Sequence, residues 1–146
     1  MKGREILFHG KSRNGKWHEG YYITQGPLQG IATKTLEIFA VLHETVGMYI
    51  QRTDKNGTKV FEGDLLRVQI NEEYDPVDDY FLVEYVDNRD FFGFVLRDMQ
   101  KGFAIYGQMF SQQFFTAYVE IIGNKWELPK KLPWHVRQNL GAGVKQ

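Results

Sequence analysis

Glu44-Thr-Val-Gly-Met-Tyr-Ile-Gln-Arg-Thr-Asp-Lys-Asn-Gly-Thr-Lys-Val-Phe-Glu-Gly-Asp-Leu-Leu-Arg-Val68 is the stretch whose reading decides the fold. Val46, Met48 and Ile50 alternate with Gly47 and Tyr49, the two-residue period of a strand with one buried face. Asn56-Gly57 is a strong hairpin signal, because both residues tolerate positive φ. Val60 and Phe61 return the chain, so Tyr49 to Phe61 reads as a hairpin with a polar tip. Glu62-Gly63-Asp64 then changes direction, and Leu65, Leu66, Val68 and Ile70 begin another strand. The plainest role for these polar residues is to build turns.

Outside that stretch, composition points the same way. The chain has 146 residues, enough for one domain with a real core. Aromatic residues make up 15% and there are 15 glycines, a mixture that favours strands joined by many turns. Cysteine is absent, which excludes disulfides, thiolate metal sites and a cysteine nucleophile. No apolar run approaches the roughly 20 residues that span a bilayer. The polar N-terminus does not read as a signal peptide. These features lead to the expectation of a soluble, cytoplasmic protein with no membrane partner.

Net charge is zero, but unevenly distributed. Residues 1–70 carry ten Lys/Arg against seven Asp/Glu, residues 71–100 two against nine, and residues 101–146 six against two. A neutral total argues against generic electrostatic binding of nucleic acid and leaves room only for a local basic face.

Working outward, residues 4–9 read as a first strand, Ser12-Arg-Asn-Gly15 as a turn, and Lys16 to Ile23 as the hairpin partner. Gln25 to Gly30 reads as a turn-rich break. Ile31 to Leu42 fits a strand or a short helix, with strand preferred because Leu36, Ile38 and Ala40 alternate. Residues 71–79 form an acidic loop. Short strands follow at 80–86, 91–96 and 103–106, the spacing of an all-β meander. Ser111 to Tyr118 is the best helix, with Ser111 as cap and Phe114, Phe115 and Tyr118 along one face. Val119 to Ile122 closes the sequence of strands. Leu128-Pro129 and Leu132-Pro133 interrupt regular structure, and the last residues read as frayed. The expected fold is therefore mainly β: a partly open β-barrel or packed antiparallel sheets built from hairpins, with one short helix near 111–118. Residues 1–132 form a single domain, and 133–146 a partly disordered tail.

Three segments resemble the YopX-like proteins of bacteriophages and prophages. The first is Arg4-Glu-Ile6, Phe8, Gly10-Lys11, Asn14-Gly-Lys-Trp17 and Gly20-Tyr-Tyr-Ile23. The second is Thr45-Val-Gly47, Tyr49, Asp54-Lys-Asn-Gly57 and Phe61-Glu-Gly-Asp64. The third is Glu120-Ile-Ile-Gly-Asn124, Trp126-Glu127 and Pro129. Order and spacing agree up to about Leu132. Where that family has Thr-Gly after the central tyrosine, this chain has Ile50-Gln51. The resemblance implies a small, β-rich phage accessory protein and supplies no catalytic residues.

Residues arranged for chemistry are few. His9, His18, His43 and His135 lack metal-ligand spacing, although hairpin pairing of His9 and His18 is one route to a site. The carboxylates Glu72, Glu73, Asp75, Asp78 and Asp79 lack the glycine and spacing of a calcium loop. Glu62 and Asp64 share strand parity but have no partner nucleophile. Nucleophile elbows, P-loops and Gly-x-Gly-x-x-Gly are absent from the sequence. No catalytic residue, cofactor or metal is expected. The favoured function is non-catalytic, through self-association or binding to a phage or host protein. The alternative is single-stranded nucleic-acid binding, with Trp17 and Tyr21 as stacking platforms and Lys55 and Lys59 as phosphate contacts.

Overall fold

The computed structural model describes residues 3–69, 78–99, 104–105 and 111–143. Among them the strands form two antiparallel sheets and no closed barrel, so sheets built from hairpins are the architecture that holds. The chain divides into two compact units, Met1–Gln51 and Arg52–Gln146.

In the first unit, β1 (Phe8–Lys11) pairs with β2 (Trp17–Gln25) across the Ser12–Gly15 turn. The turn closes where the Ser12 amide donates to the Lys16 carbonyl at 2.9 Å and Asn14 Oδ1 accepts the Lys16 amide at 3.1 Å. β3 (Leu28–Ala32) returns along β2, with Gln25 opposite Leu28. The expected break at 25–30 is thus a tight Gly26-Pro27 turn with strand on either side. β4 (Ile38–Ala40) continues the meander, which settles the 31–42 ambiguity as strand. A short 3-10 turn at His43–Thr45 follows. Thr45 is buried there, its Oγ1 accepting the Lys11 amide at 2.9 Å and donating to the Leu42 carbonyl at 2.6 Å. β5 (Gly47–Thr53) then pairs with β1, giving the strand order β4-β3-β2-β1-β5.

β5 carries the chain into the second unit, where β6 (Lys59–Phe61) completes the hairpin expected from Asn56-Gly57. β7 (Asp64–Val68), β8 (Asp79–Asp87), β9 (Phe92–Asp98), β10 (Ala104–Ile105) and β11 (Val119–Asn124) form the second sheet in the order β10-β9-β8-β7-β11. β7 lies inside that sheet, which is why Leu65, Leu66 and Val68 are all buried rather than alternating with polar residues. The expected Asn88 turn joins β8 to β9, Asn88 Oδ1 accepting the Asp90 and Phe91 amides at 3.0 Å each. The α-helix α1 (Gln112–Tyr118) stands where it was expected, with Ser111 Oγ accepting the Phe114 amide at 3.0 Å and Phe115 in the core. The acidic stretch 71–77 lies outside the described residues.

The C-terminal stretch differs from the expected irregular tail. A second helix, α2 (Trp134–Gly143), follows Pro133 directly. The amides of Val136 and Arg137 both donate to the Pro133 carbonyl at 3.1 Å. Proline here precedes the first turn, where its missing N–H costs nothing, so the residue read as a breaker is a helix start. Val136 and Leu140, four apart, are buried in one cluster with Leu65, Tyr80, Leu82 and Met99. Asn139 Nδ2 donates to the Met99 carbonyl and ties α2 to the end of β9.

Candidate functional site

The buried carboxylates of the second unit are the natural first place to look for chemistry. Asp54 is 3% exposed and Asp64 7%, and water-excluded acids require partners. Asp54 Oδ1 accepts the amides of Asn56 at 2.9 Å and Thr58 at 3.0 Å, which closes the Asp54-Lys-Asn-Gly57 turn. Its Oδ2 accepts the Ile121 amide at 3.0 Å, and the Lys55 amide donates to the Val119 carbonyl at 2.8 Å. One side chain thus shapes the hairpin tip and fastens it to β11.

Asp64 works similarly on the next turn, its Oδ2 accepting the Phe61 amide at 2.8 Å. Burial pushes its carboxyl up to about 7, the Phe61 hydrogen bond pulls it partly back, and the nearby Asp54 charge raises it further. Between them, Gly63 has φ +95°, and a Cβ there would lie 2.5 Å from the Trp126 ring. The Gly63 amide donates to Val83 and its carbonyl accepts from Lys125, at 2.8 and 2.9 Å. Both acids are thereby engaged by backbone amides. The Glu62–Asp64 pair considered for acid–base chemistry is a turn: Asp64 points inward at its own loop.

The histidines do not converge. His9 stands opposite Glu19, and His18 opposite Gly10, so the two rings project from opposite faces of the β1–β2 pair. Hairpin pairing separates them rather than joining them. His9 is buried against Trp17, with ring centroids 4.6 Å apart. His18 stacks on Phe39 at 3.9 Å. His43 Nδ1 lies 2.6 Å from Gln29 Oε1, and His135 is on α2. Among the described residues no group of three His, Asp or Glu is placed to hold a metal ion.

Of the nucleic-acid candidates, Trp17 and Tyr21 lie in the first unit and Lys55 and Lys59 in the second. Trp17 and Tyr21 share a face of β2, where Trp17 is half-buried against His9 and Tyr21 is 51% exposed. Lys55 is exposed at the hairpin tip and Lys59 half-buried in β6.

The feature that sequence reading missed lies in the first unit, beside Tyr21. Register places Tyr21 opposite Ala32, Ile23 opposite Gly30, Gly30 opposite Ala40 and Ala32 opposite Ile38. Directly opposed residues share a face, so Tyr21, Ile23, Leu28, Gly30, Ile38 and Ala40 lie on one surface of β2–β3–β4. Leu28 is 63% exposed and Ile38 64%. Glu19, two residues before Tyr21 on the same face of β2, is an exposed charge beside these apolar positions. The Gly26-Pro27 dipeptide was the available signal, since as a tight turn it puts Leu28 in a strand rather than in a loop.

Against known proteins, the family model described as "YopX protein" matches residues 1–133. The chain belongs to the YopX family. The matched span takes in both units as far as Pro133, and α2 lies beyond it. No curated protein matches this YopX-family chain. Among solved structures, it is similar to the crystal structure of protein EF1440 from Enterococcus faecalis. That match covers 82% of this chain and 91% of that one, with 17% identity and a TM-score of 0.45.

Proposed function

We propose that this YopX-family chain acts by binding rather than by catalysis, as a phage or prophage accessory protein that works through protein–protein interaction or self-assembly in the host cytoplasm. The observation that carries the reading is the apolar surface of β2–β3–β4, where Leu28 and Ile38 are nearly two-thirds exposed. Supporting it, the buried acids Asp54 and Asp64 are engaged by the amides of their own turns and of β11, which suits scaffolding better than proton transfer.

A second reading, single-stranded nucleic-acid binding, is favoured by the half-exposed Tyr21 ring and the exposed Lys55. One experiment separates the two: light-scattering mass of the purified protein, with and without a single-stranded oligonucleotide, at low and high salt. An assembly that ignores the oligonucleotide and persists at high salt supports the protein-interaction reading. A complex that dissolves as salt rises overturns it in favour of nucleic acid. Sustained turnover on a substrate panel overturns both.

A further inference from the structure

We infer that the groove where the β1–β2 turn meets β3 and the end of β4 binds a small organic anion. Arg13 holds the oxyanion head, and the apolar body lies along Leu28, Ala40 and Leu42. This goes beyond the interaction reading above and does not depend on it. The groove exists because the chain leaving β4 returns to β1. The Leu42 amide donates to the Lys11 carbonyl at 2.8 Å, and Val41 packs so close to Gly10 that a Cβ there would lie 2.9 Å from it. The Ser12–Gly15 turn continues directly from that contact, which brings Arg13 into one groove with Leu28 and His43. The groove holds about 600 Å³, within the roughly 300–1,000 Å³ of small-molecule sites.

Arg13 supplies the charge. Its guanidinium forms no ion pair or hydrogen bond with any described residue, so the fork of donors that matches a carboxylate or phosphate stays open. No acid of its own hairpin competes for it: between Glu5 and Glu19 the charged residues are Lys11, Arg13 and Lys16. Glu44, the acid next to His43, is exposed and does not line the groove. His43 and Gln29 make a fixed wall. Gln29 Oε1 can only accept, so His43 Nδ1 donates across the 2.6 Å between them, while the Gln29 carbonyl accepts the Val41 amide at 3.1 Å. His43 Nε2 bonds no described residue and is left as an acceptor for a ligand hydroxyl. Leu28, 63% exposed, makes the rest of the lining apolar together with Ala40 and Leu42. A cation beside an apolar wall suits an anionic head on an apolar body. It suits a bare inorganic anion less well, because an exposed ion pair alone gains little in water.

Amide chemical-shift titration of the isotope-labelled protein tests it, with phenyl phosphate, benzoate, inorganic phosphate and benzyl alcohol as probes. Phenyl phosphate or benzoate is expected to bind with a Kd on the order of 1 mM and to shift the amides of residues 12–15, 28–29 and 40–43. The tighter of the two identifies the head group. Inorganic phosphate lacks the body and benzyl alcohol the charge, so each is expected to bind about 10-fold more weakly. Arg13→Gln is expected to weaken binding about 10-fold. Arg4→Gln, which removes the same charge from an exposed position outside the groove, is expected to leave it within about 2-fold. Unchanged spectra elsewhere show that both variants fold. No shift from either aromatic anion at about 20 mM overturns the inference, as do equal losses in the two variants. Benzyl alcohol binding as well as phenyl phosphate also overturns it and leaves only an apolar groove. Light-scattering mass answers the interaction reading separately, so each can fail without the other.

Discussion

Gly63→Ala is a severe small change, and its cost can be worked from two separable causes. The first is backbone: Gly63 has φ +95°, where an L side chain is strained by about 1–2 kcal/mol. The second is space. The added methyl would lie 2.5 and 2.6 Å from Trp126 Cζ3 and Cη2, well inside van der Waals contact. Forcing extra volume into a packed site costs about 1–3 kcal/mol. The sum is about 2–5 kcal/mol, a large share of the roughly 5–15 kcal/mol that holds a domain folded.

Gly57→Ala is the internal control. Gly57 also has positive φ, +80°, but nothing lies within 4 Å of its missing Cβ. It is expected to cost only the backbone part, about 1–2 kcal/mol. Urea unfolding followed by fluorescence and circular dichroism would compare the two. In a Trp126→Ala background the effect of Gly63→Ala should shrink to that of Gly57→Ala, since the ring is gone. The reasoning fails if Gly63→Ala costs no more than Gly57→Ala, or if its cost is the same with and without Trp126.

Three further expectations follow from the same unit and its neighbour. Because burial lifts Asp64 from 3.8 to about 7, the unfolded chain ionises it first as pH rises. Its contribution is therefore complete below pH 4 and lost between about 4 and 7, up to a few kcal/mol, and Asp64→Asn should flatten that slope in urea titrations. An unchanged slope refutes the assignment. Ending the chain at Pro133 removes Val136 and Leu140 from the core around Leu65 and Leu82, at about 1.5–3 kcal/mol each. A truncated protein that melts within about 2 °C of the full chain contradicts the docking of α2. At position 51, where YopX-like proteins carry glycine, Gln51 holds φ +68° and donates through Nε2 to the Glu5 carbonyl at 2.6 Å. Gln51→Gly trades relief of about 1–2 kcal/mol of strain against that bond and should change stability by about 1 kcal/mol or less. Gln51→Val, β-branched at positive φ, should cost clearly more, and equal midpoints for the two would discount the strain.

What was legible in the sequence is what local physics decides. Asn56-Gly57, Asn14-Gly15 and Asn88 named their hairpins because turn chemistry is carried by the turn residues themselves. Ser111 named α1 for the same reason, through a bond to an amide three residues on. What local windows left open was decided at longer range. Pro133 as a helix start depends on the sheet that Val136 and Leu140 cover, which no local window contains. The separation of His9 from His18 depends on register, and a one-residue change in pairing would have reversed it. The apolar face of β2–β3–β4 needed both the Gly26-Pro27 turn and the pairing of Ile38 with Ala32, so its residues looked scattered along the chain.

The residues that carry the YopX resemblance have a physical pattern of their own. In the second unit they are turn-makers and crossing points. Asp54 holds a hairpin tip to β11, Gly63 makes room for Trp126, and Asn124 Oδ1 accepts the Trp126 and Glu127 amides at 3.0 and 2.8 Å. Gly123 sits where the β11 register shifts, with Pro129 so close that a Cβ would lie 2.8 Å from it. Each is a position where the backbone permits few alternatives, and none presents a reactive group to solvent. On the β2–β3–β4 face, Tyr21 and Ile23 belong to a quoted segment, whereas Leu28, Ile38 and Ala40 lie outside them. In the second unit, then, the resemblance describes the scaffold: its turns and the places where the backbone passes close to a side chain.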